Sequence, residues 1–203
     1  MTDASLLHDD GGSTRLSPEE RESLIPSYIT FHHELNEAEQ ENILAAMRWL
    51  KIRRSWLTET EMVEEDFVCE VHRRMFNKVW RWAGDYRRTD KNIGVPFHGI
   101  ELEMRLLVDN ARAWMQYRSY HPDEIALRFH HKLVFIHPFP NGNGRLSRLI
   151  ADVLIVKLGG RPFTWGGATD LTDTHNEMRS VYHAALRKAD DNEFGDLFRF
   201  GRS

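Results

Sequence analysis

Apolar residues recur at spacings of three and four along most of the chain, a pattern that predicts amphipathic α-helices. The first long helix is expected to begin with Asn36 as its N-cap and to keep an apolar face as far as about Ile52. Thr58 and Glu61 have the spacing of a capping box, which predicts a second helix running toward Trp80. The remaining predicted helices cover residues 102–114, 122–137, 145–156, 170–189 and 192–200.

Residues 83–99 break this helical pattern, because they contain Gly84, Gly94, Pro96 and Gly99 with few periodic apolar positions. We expect a turn-rich stretch with a short β-hairpin around Asp90. Residues 1–35 are expected to form a separate N-terminal element with a short helix near residues 18–24, and residues 36–203 the main domain. The fold class is therefore predicted as all-α with one short hairpin.

Composition narrows the class of protein further. The chain has 203 residues and a formal net charge of -4, which does not suggest a protein that coats DNA or an anionic membrane. No apolar run approaches the length of a membrane span, and the single Cys69 excludes an intramolecular disulfide. We expect a cytoplasmic protein with no membrane partner and no direct nucleic-acid binding.

The densest group of chemically useful residues lies in one loop and the start of the following helix, residues 137–148, which read HPFPNGNGRLSR. Backbone N–H groups at a helix start bind anions, and glycines allow the backbone to approach phosphate closely. Arg145 and Arg148 are three residues apart and so share one face of the helix. His137 titrates near neutrality and can accept a proton from an attacking hydroxyl.

Taken alone, each of these residues also has an ordinary explanation: His137 and Asn141 as turn residues, and the two arginines as solvated surface side chains. Their combination within twelve residues favours a polyphosphate site with a general base beside it. Two histidine pairs, His32-His33 and His130-His131, do not indicate zinc, because no cysteine or His-Glu-x-x-His partner accompanies them.

This loop resembles the signature of the Fic family, His-Pro-Phe-x-[Asp/Glu]-Gly-Asn-Gly-Arg-x-x-Arg, and only Asn141 departs from its specified positions. Residues 80–87, WRWAGDYR, look like the family's entry to a target-docking flap. The resemblance extends over roughly residues 36–200 and is greatest to the bacterial subgroup called mobile mystery protein B. It implies an all-helical nucleotidyl transferase that uses ATP to attach AMP to a Ser, Thr or Tyr hydroxyl of a protein.

The resemblance also implies residue roles. His137 would be the general base, and Phe139 would be buried beneath the loop. The glycines and asparagine after it would bind the α- and β-phosphates, and the two arginines the β- and γ-phosphates: Gly142, Asn143, Gly144, Arg145 and Arg148. Family members that transfer phosphate have a lysine in place of Gly144, so glycine here implies AMP transfer.

Asn141 occupies the position where the family usually has an acidic Mg²⁺ ligand. Since Mg²⁺ prefers charged oxygen ligands with phosphate and water, an amide oxygen predicts weaker metal binding and slower chemistry. The sequence is therefore also compatible with a nucleotide-binding protein without turnover.

An inhibitory segment is also predicted by resemblance. Many Fic proteins carry [Ser/Thr]-x-x-x-Glu-[Gly/Asn], whose glutamate blocks the γ-phosphate site. Thr30 and Glu34 have this spacing, although Leu35 follows where the family has Gly or Asn. The sequence thus predicts a Glu34–Arg148 pair that competes with ATP.

A target-docking role is predicted for Lys91, Asn92, Ile93, Gly94 and Val95, which would pair as a strand with an extended segment of the target protein. The loop residues by themselves are also compatible with a different nucleotide donor such as UTP, with removal of AMP, or with a helical interaction module whose loop is idle. The subgroup resemblance further implies a DNA-binding partner protein.

Overall fold

The computed structural model describes residues 18–167 and 176–203. Eight α-helices occur in these ranges: α1 (Pro18–Ser23), α2 (His32–Arg53), α3 (Glu65–Phe76), α4 (Ile100–Gln116), α5 (Pro122–Ile136), α6 (Asn143–Lys157), α7 (Asn176–Asp190) and α8 (Gly195–Arg202). Short 3₁₀ turns precede α3 and α4, at Glu61–Val63 and Phe97–Gly99. Within the same ranges no residue belongs to a β-strand, which confirms the all-α prediction.

The central helices are those that the periodic pattern predicts best. Pro122 occupies the first turn of α5, and His121 caps that helix. The helix α6 ends at Lys157, just before Gly159, whose positive φ of 90° stops it. Because α5 and α6 pack against each other, the ends of the loop between them are held in place. The predicted start of the next helix at Asp170 lies outside the described residues.

The start of α2 differs from the prediction. The helix begins at His32 instead of after Asn36, because the Glu34 carboxylate accepts hydrogen bonds from the backbone N–H groups of Thr30 (2.7 Å) and Phe31 (3.1 Å). These bonds satisfy donors that a helix start leaves without partners, so the helix begins five residues earlier than it would with Asn36 as its N-cap.

The described part of the N-terminal element is packed into the main domain. Leu24, Ile29 and Leu35 are each at most 5% exposed and belong to the same apolar core as the central helices. An isolated antiparallel bridge joins Leu24 to Trp80, and Ile25 N–H donates to the Val79 carbonyl at 2.9 Å. Residues 18–35 are therefore continuous with the domain that the sequence pattern begins at residue 36.

The predicted hairpin around Asp90 is not formed. Residues 88–96 are a series of bends, and their carbonyls are bound by the side chain of Arg87 instead of by a partner strand. A single buried guanidinium thus replaces the ladder of backbone hydrogen bonds that a hairpin requires. None of the described helices is both long enough and apolar enough to cross a membrane.

Candidate active site

The loop between α5 and α6 is shaped by two residues with left-handed backbone. His137 ends α5 with φ 54° and ψ 58°, and Gly142 precedes α6 with φ 80°. Histidine tolerates this region better than most residues, whereas Gly142 has no substitute. A Cβ at Gly142 would lie 2.5 Å from the Phe76 ring, so the loop also requires a glycine there for space.

Asn143 and Phe139 hold the loop from below. The Asn143 amide accepts a hydrogen bond from Phe139 N–H at 3.0 Å and donates one to the Phe139 carbonyl at 2.9 Å. Phe139 has no exposed surface, as the family resemblance implied, and Asn143 is 2% exposed. The side chain of Asn143 is therefore structural, and its backbone N–H, in the first turn of α6, has no partner within the helix.

His137 lies half-buried at the loop entrance. Its Nδ1 is buried and has no hydrogen bond of good geometry among the residues described, which leaves Nε2 as the nitrogen that can meet a substrate. Burial lowers the pKa of His137, the nearby Arg87 and Lys91 lower it further, and the Val134 carbonyl partly opposes them. The imidazole is thus kept neutral at physiological pH, as a general base requires.

Arg87 is a site residue that the sequence pattern did not reveal, since it stands there only as the last residue of the WRWAGDYR segment. It is 3% exposed, and its Nε donates to the His137 carbonyl at 2.7 Å. The same guanidinium donates to the carbonyls of Thr89 and Val95, and the Arg87 backbone N–H donates to Pro138 at 2.9 Å. Its place in the WRWAGDYR segment was the available signal.

The flap residues 91–95 lie against His137 because Arg87 holds them there. Val95 N–H donates to the Ile136 carbonyl at 3.3 Å. Gly94 has φ 95°, and a Cβ built on it would lie 2.6 Å from the Cβ of His137. Lys91, Asn92 and Ile93 are exposed, so the flap presents free side chains and backbone beside the histidine.

Arg145 and Arg148 share one face of α6, as their spacing predicts, but their contacts differ. Arg145 donates to the Glu39 carboxylate at 2.6 Å, and the other oxygen of Glu39 accepts from Trp80 Nε1 at 2.6 Å. Arg148 lies 5.8 Å from the Tyr182 ring centroid, and its Nε donates to the Gly144 carbonyl at 3.3 Å. Glu39 was missed because an acid within a helical pattern normally faces solvent.

Asn141, the predicted metal ligand, is exposed at the tip of the loop. Its side-chain oxygen accepts from Gly142 N–H at 2.7 Å, so the amide is turned back onto the backbone. The part of the chain that the structure describes contains no group of three His, Cys, Asp or Glu side chains able to hold a metal. A neutral amide oxygen at this position fits only a metal ion that brings most of its ligands with it, such as phosphate and water.

The predicted Glu34–Arg148 pair is not formed. The Glu34 carboxylate caps α2 through Thr30 and Phe31, and these hydrogen bonds lower the pKa of Glu34. Thr30 contributes through its hydroxyl as well, at 3.3 Å. The spacing that suggested an inhibitory motif is thus used here to begin a helix.

The chain is similar in sequence to known proteins. Residues 62–155 match the Fic/DOC family. Protein adenylyltransferase Fic of Drosophila grimshawi is 31% identical over 153 residues, which are 73% of this chain and 30% of that protein. The chain therefore spans about 30% of the length of this curated relative.

Solved structures show the same helical arrangement. Fic-1 (residues 134–508) from C. elegans is 25% identical, with a TM-score of 0.59 over 78% of this chain and 45% of that one. BepC from Bartonella tribocorum, solved with AMPPNP, is 19% identical, with a TM-score of 0.65 over 92% of this chain and 91% of that one. The fold and the loop define a Fic-fold helical domain. The chain belongs to the Fic/DOC family.

Proposed function

We propose that this protein transfers AMP from ATP to a Ser, Thr or Tyr hydroxyl of a target protein. The observation that carries the proposal is that one loop presents a neutral histidine, a helix start and two arginines within twelve residues. Relatives over this region are named protein adenylyltransferase, which supports the same chemistry.

His137 would act as the general base. The target hydroxyl would lose its proton to Nε2 of His137 while its oxygen forms a bond to the α-phosphorus of ATP. The bond between the α-phosphorus and the bridging oxygen to the β-phosphate breaks, and pyrophosphate leaves. Arg87 contributes by fixing the backbone of His137 through its carbonyl, so that the ring meets the hydroxyl in one orientation.

The start of α6 would bind the phosphates. Its first-turn N–H groups have no partners within the helix, and Arg145 and Arg148 extend from the same turn. A Cβ placed on Gly144 would meet no atom within 4 Å, so this position leaves open space in front of the helix. Fixed donors of this kind stabilise the charge that develops on phosphate oxygens in the transition state.

Mg²⁺ would be held mainly by the nucleotide, with the Asn141 amide oxygen as the protein's own ligand, and it would neutralise phosphate charge. For Asn141 to take that role, its side chain has to release Gly142 N–H, and the same rotation frees that N–H for a phosphate oxygen. The missing negative charge favours a second candidate function, which is a nucleotide-binding regulator with little turnover.

The flap residues Lys91–Val95 would align an extended target segment beside His137. Pairing with a DNA-binding partner and membership of the mobile mystery protein B subgroup stay predictions from resemblance. Inhibition through Glu34 also stays a prediction, and it would require the cap of α2 to open, since Glu34 is committed to Thr30 and Phe31 in this structure.

The test is incubation of the full chain with ATP labelled on the α-phosphate, Mg²⁺ or Mn²⁺, and a bacterial lysate. We expect label on protein with the wild type and none with His137→Ala. Asn141→Asp restores a charged ligand and should increase labelling if the metal limits the rate. Glu34→Gly serves as the matched variant for inhibition, which requires it to label more strongly than the wild type.

Absence of label from the wild type and from Asn141→Asp, with ATP binding intact, would contradict AMP transfer and favour the regulator. Loss of ATP binding in Arg145→Ala alongside would show that the loop is still the nucleotide site in that case.

A further inference from the structure

His72 lies on α3, outside the loop motif, and has no exposed surface. Its imidazole connects two separate backbone segments. Nδ1 accepts a hydrogen bond from Gly84 N–H at 2.9 Å, and Nε2 lies 3.1 Å from the carbonyl oxygen of Asn141. A side chain within a helix that precedes the loop by about 60 residues in sequence thus contacts the tip of the candidate active-site loop.

The two partners fix the state of the ring. A backbone N–H can only donate and a backbone carbonyl can only accept, so Nδ1 must be bare and Nε2 must carry the proton. Both nitrogens are therefore satisfied by the neutral ring in one tautomer. Burial also lowers the pKa of His72, to about 3, which agrees with a neutral ring.

The ring also packs against the residues that form the loop. It stacks on Phe139 with centroids 3.8 Å apart and an angle of 6° between the planes. It also contacts Phe76, with centroids 4.8 Å apart, and Phe76 is the residue that a Cβ on Gly142 would meet. His72 therefore contacts the loop at Phe139 and at Asn141, which lie on either side of Pro140.

We propose that His72 is a positioning residue, which holds the Asn141 carbonyl and thereby fixes the Asn141–Gly142 turn that receives the nucleotide phosphates and their metal. The effect of His72 on nucleotide binding and catalysis rests on the proposed function, whereas the contact between His72 and Asn141 is independent of it. Without the Nε2–H donor, the Asn141 carbonyl loses its described partner, and the turn beside it is free to rotate.

A matched pair of variants separates this role from simple core packing. In His72→Asn the side-chain amide lies near the former Nδ1 and can still accept from Gly84, but it does not reach Asn141. In His72→Gln the amide nitrogen lies near the former Nε2 and can still donate to Asn141. Core packing alone also predicts a larger loss of stability in His72→Asn, because asparagine leaves a larger cavity than glutamine in this fully buried site, so stability has to be measured beside binding.

We expect His72→Asn to weaken ATP binding by about tenfold, the consequence of one buried hydrogen bond lost, and to lower kcat/KM accordingly. His72→Gln should stay within about threefold of the wild type. Melting temperatures of both variants report the packing contribution separately. Equal losses in the two variants, or a larger loss in His72→Gln, would overturn the proposal.

Hydrogen–deuterium exchange of residues 139–144 without nucleotide tests the contact independently of activity. Exchange should accelerate in His72→Asn and not in His72→Gln. If the wild type transfers no AMP, the proposed function fails while this comparison still decides the role of His72. Should His72→Asn not fold, ¹⁵N shifts of wild-type His72 replace it: protonated Nε2 supports the proposal, and protonated Nδ1 overturns it.

Discussion

The imidazole of His137 depends on an unusual backbone conformation at a single residue. The backbone of His137, with φ 54°, ends α5 and turns the chain into the loop. Arg87 Nε donates to the His137 carbonyl at 2.7 Å. The sequence predicts that a histidine lies beside a phosphate site, since both features are local. It does not predict the left-handed conformation or the buried arginine, because both depend on residues far along the chain.

The lowered pKa of His137 has a kinetic consequence. A base is active when deprotonated, so the acidic limb of the pH–rate profile should lie below the ordinary histidine value of about 6.5. Lys91→Ala removes a nearby positive charge and should move that limb toward higher pH. Single-turnover AMP transfer measured from pH 5 to 8 tests this. Arg88→Ala, an exposed neighbour that does not affect the pKa of His137, is the control.

Gly94 should tolerate no side chain. Its φ of 95° costs a non-glycine residue roughly 1–2 kcal/mol, and an added Cβ would lie 2.6 Å from that of His137. We expect Gly94→Ala to reduce the rate at least about tenfold by pushing the flap away from the base. Gly99→Ala is the matched control, because no atom lies within 4 Å of a Cβ there. Similar activities for the two variants would refute the argument.

At the scale of elements, the helices with a clear apolar face were predicted well and their connections were not. Burial alone places α4, α5 and α6, because one face of each is apolar. The expected hairpin failed because Arg87 supplies the hydrogen bonds that strands would otherwise exchange. The expected cap at Asn36 failed because Glu34, three residues after Phe31, competes for the same role.

The ion pair between α2 and α6 is the element-scale contact most open to test. The side chains of Glu39 and Arg145 are 4% and 17% exposed, so removing one leaves the other buried without its counter-charge. Glu39→Ala should lower the free energy of unfolding by about 3–5 kcal/mol and weaken ATP binding. Urea denaturation and nucleotide titration measure the two effects.

The control for that variant is Glu37→Ala, an exposed glutamate on the same helix. It should change stability by less than about 0.5 kcal/mol. If Glu39→Ala is as stable as this control, the Glu39–Arg145 ion pair makes no net contribution to the free energy of unfolding.

At the scale of the whole molecule, buried histidines make stability depend on pH. Burial lowers the pKa of His130, which has no exposed surface, to about 3. Since this is below the unfolded value, its stabilising contribution is complete above about pH 6.5 and is lost as the pH falls toward 3. Asp152 acts oppositely, because burial raises its pKa to about 6. Its contribution is lost as the pH rises through that value.

We therefore expect the protein to lose stability between pH 6.5 and 4.5, with His130 contributing up to about 1.4 kcal/mol per pH unit. His130→Gln keeps a partner for the Tyr182 hydroxyl and should flatten this slope. Free energies of unfolding in urea across that range provide the measurement. The exposed His98→Gln should leave the slope unchanged, and an unchanged slope in His130→Gln would contradict the assignment.

The antiparallel bridge between Leu24 and Trp80 affects which fragments of the protein can represent its nucleotide binding. Trp80 donates a hydrogen bond to Glu39, and Glu39 forms an ion pair with Arg145. Through the bridge to Trp80, the segment before α2 is therefore connected to the proposed phosphate site. A fragment that begins at His32 would keep α3 to α8 but lose α1, the buried side chains of Leu24 and Ile29, and the backbone N–H groups that Glu34 binds. The residues on either side of Trp80 would lose their backbone hydrogen bonds, which join Val79 to Ile25 and Arg81 to Ser23. The nucleotide affinity of such a fragment would therefore not represent that of the intact protein.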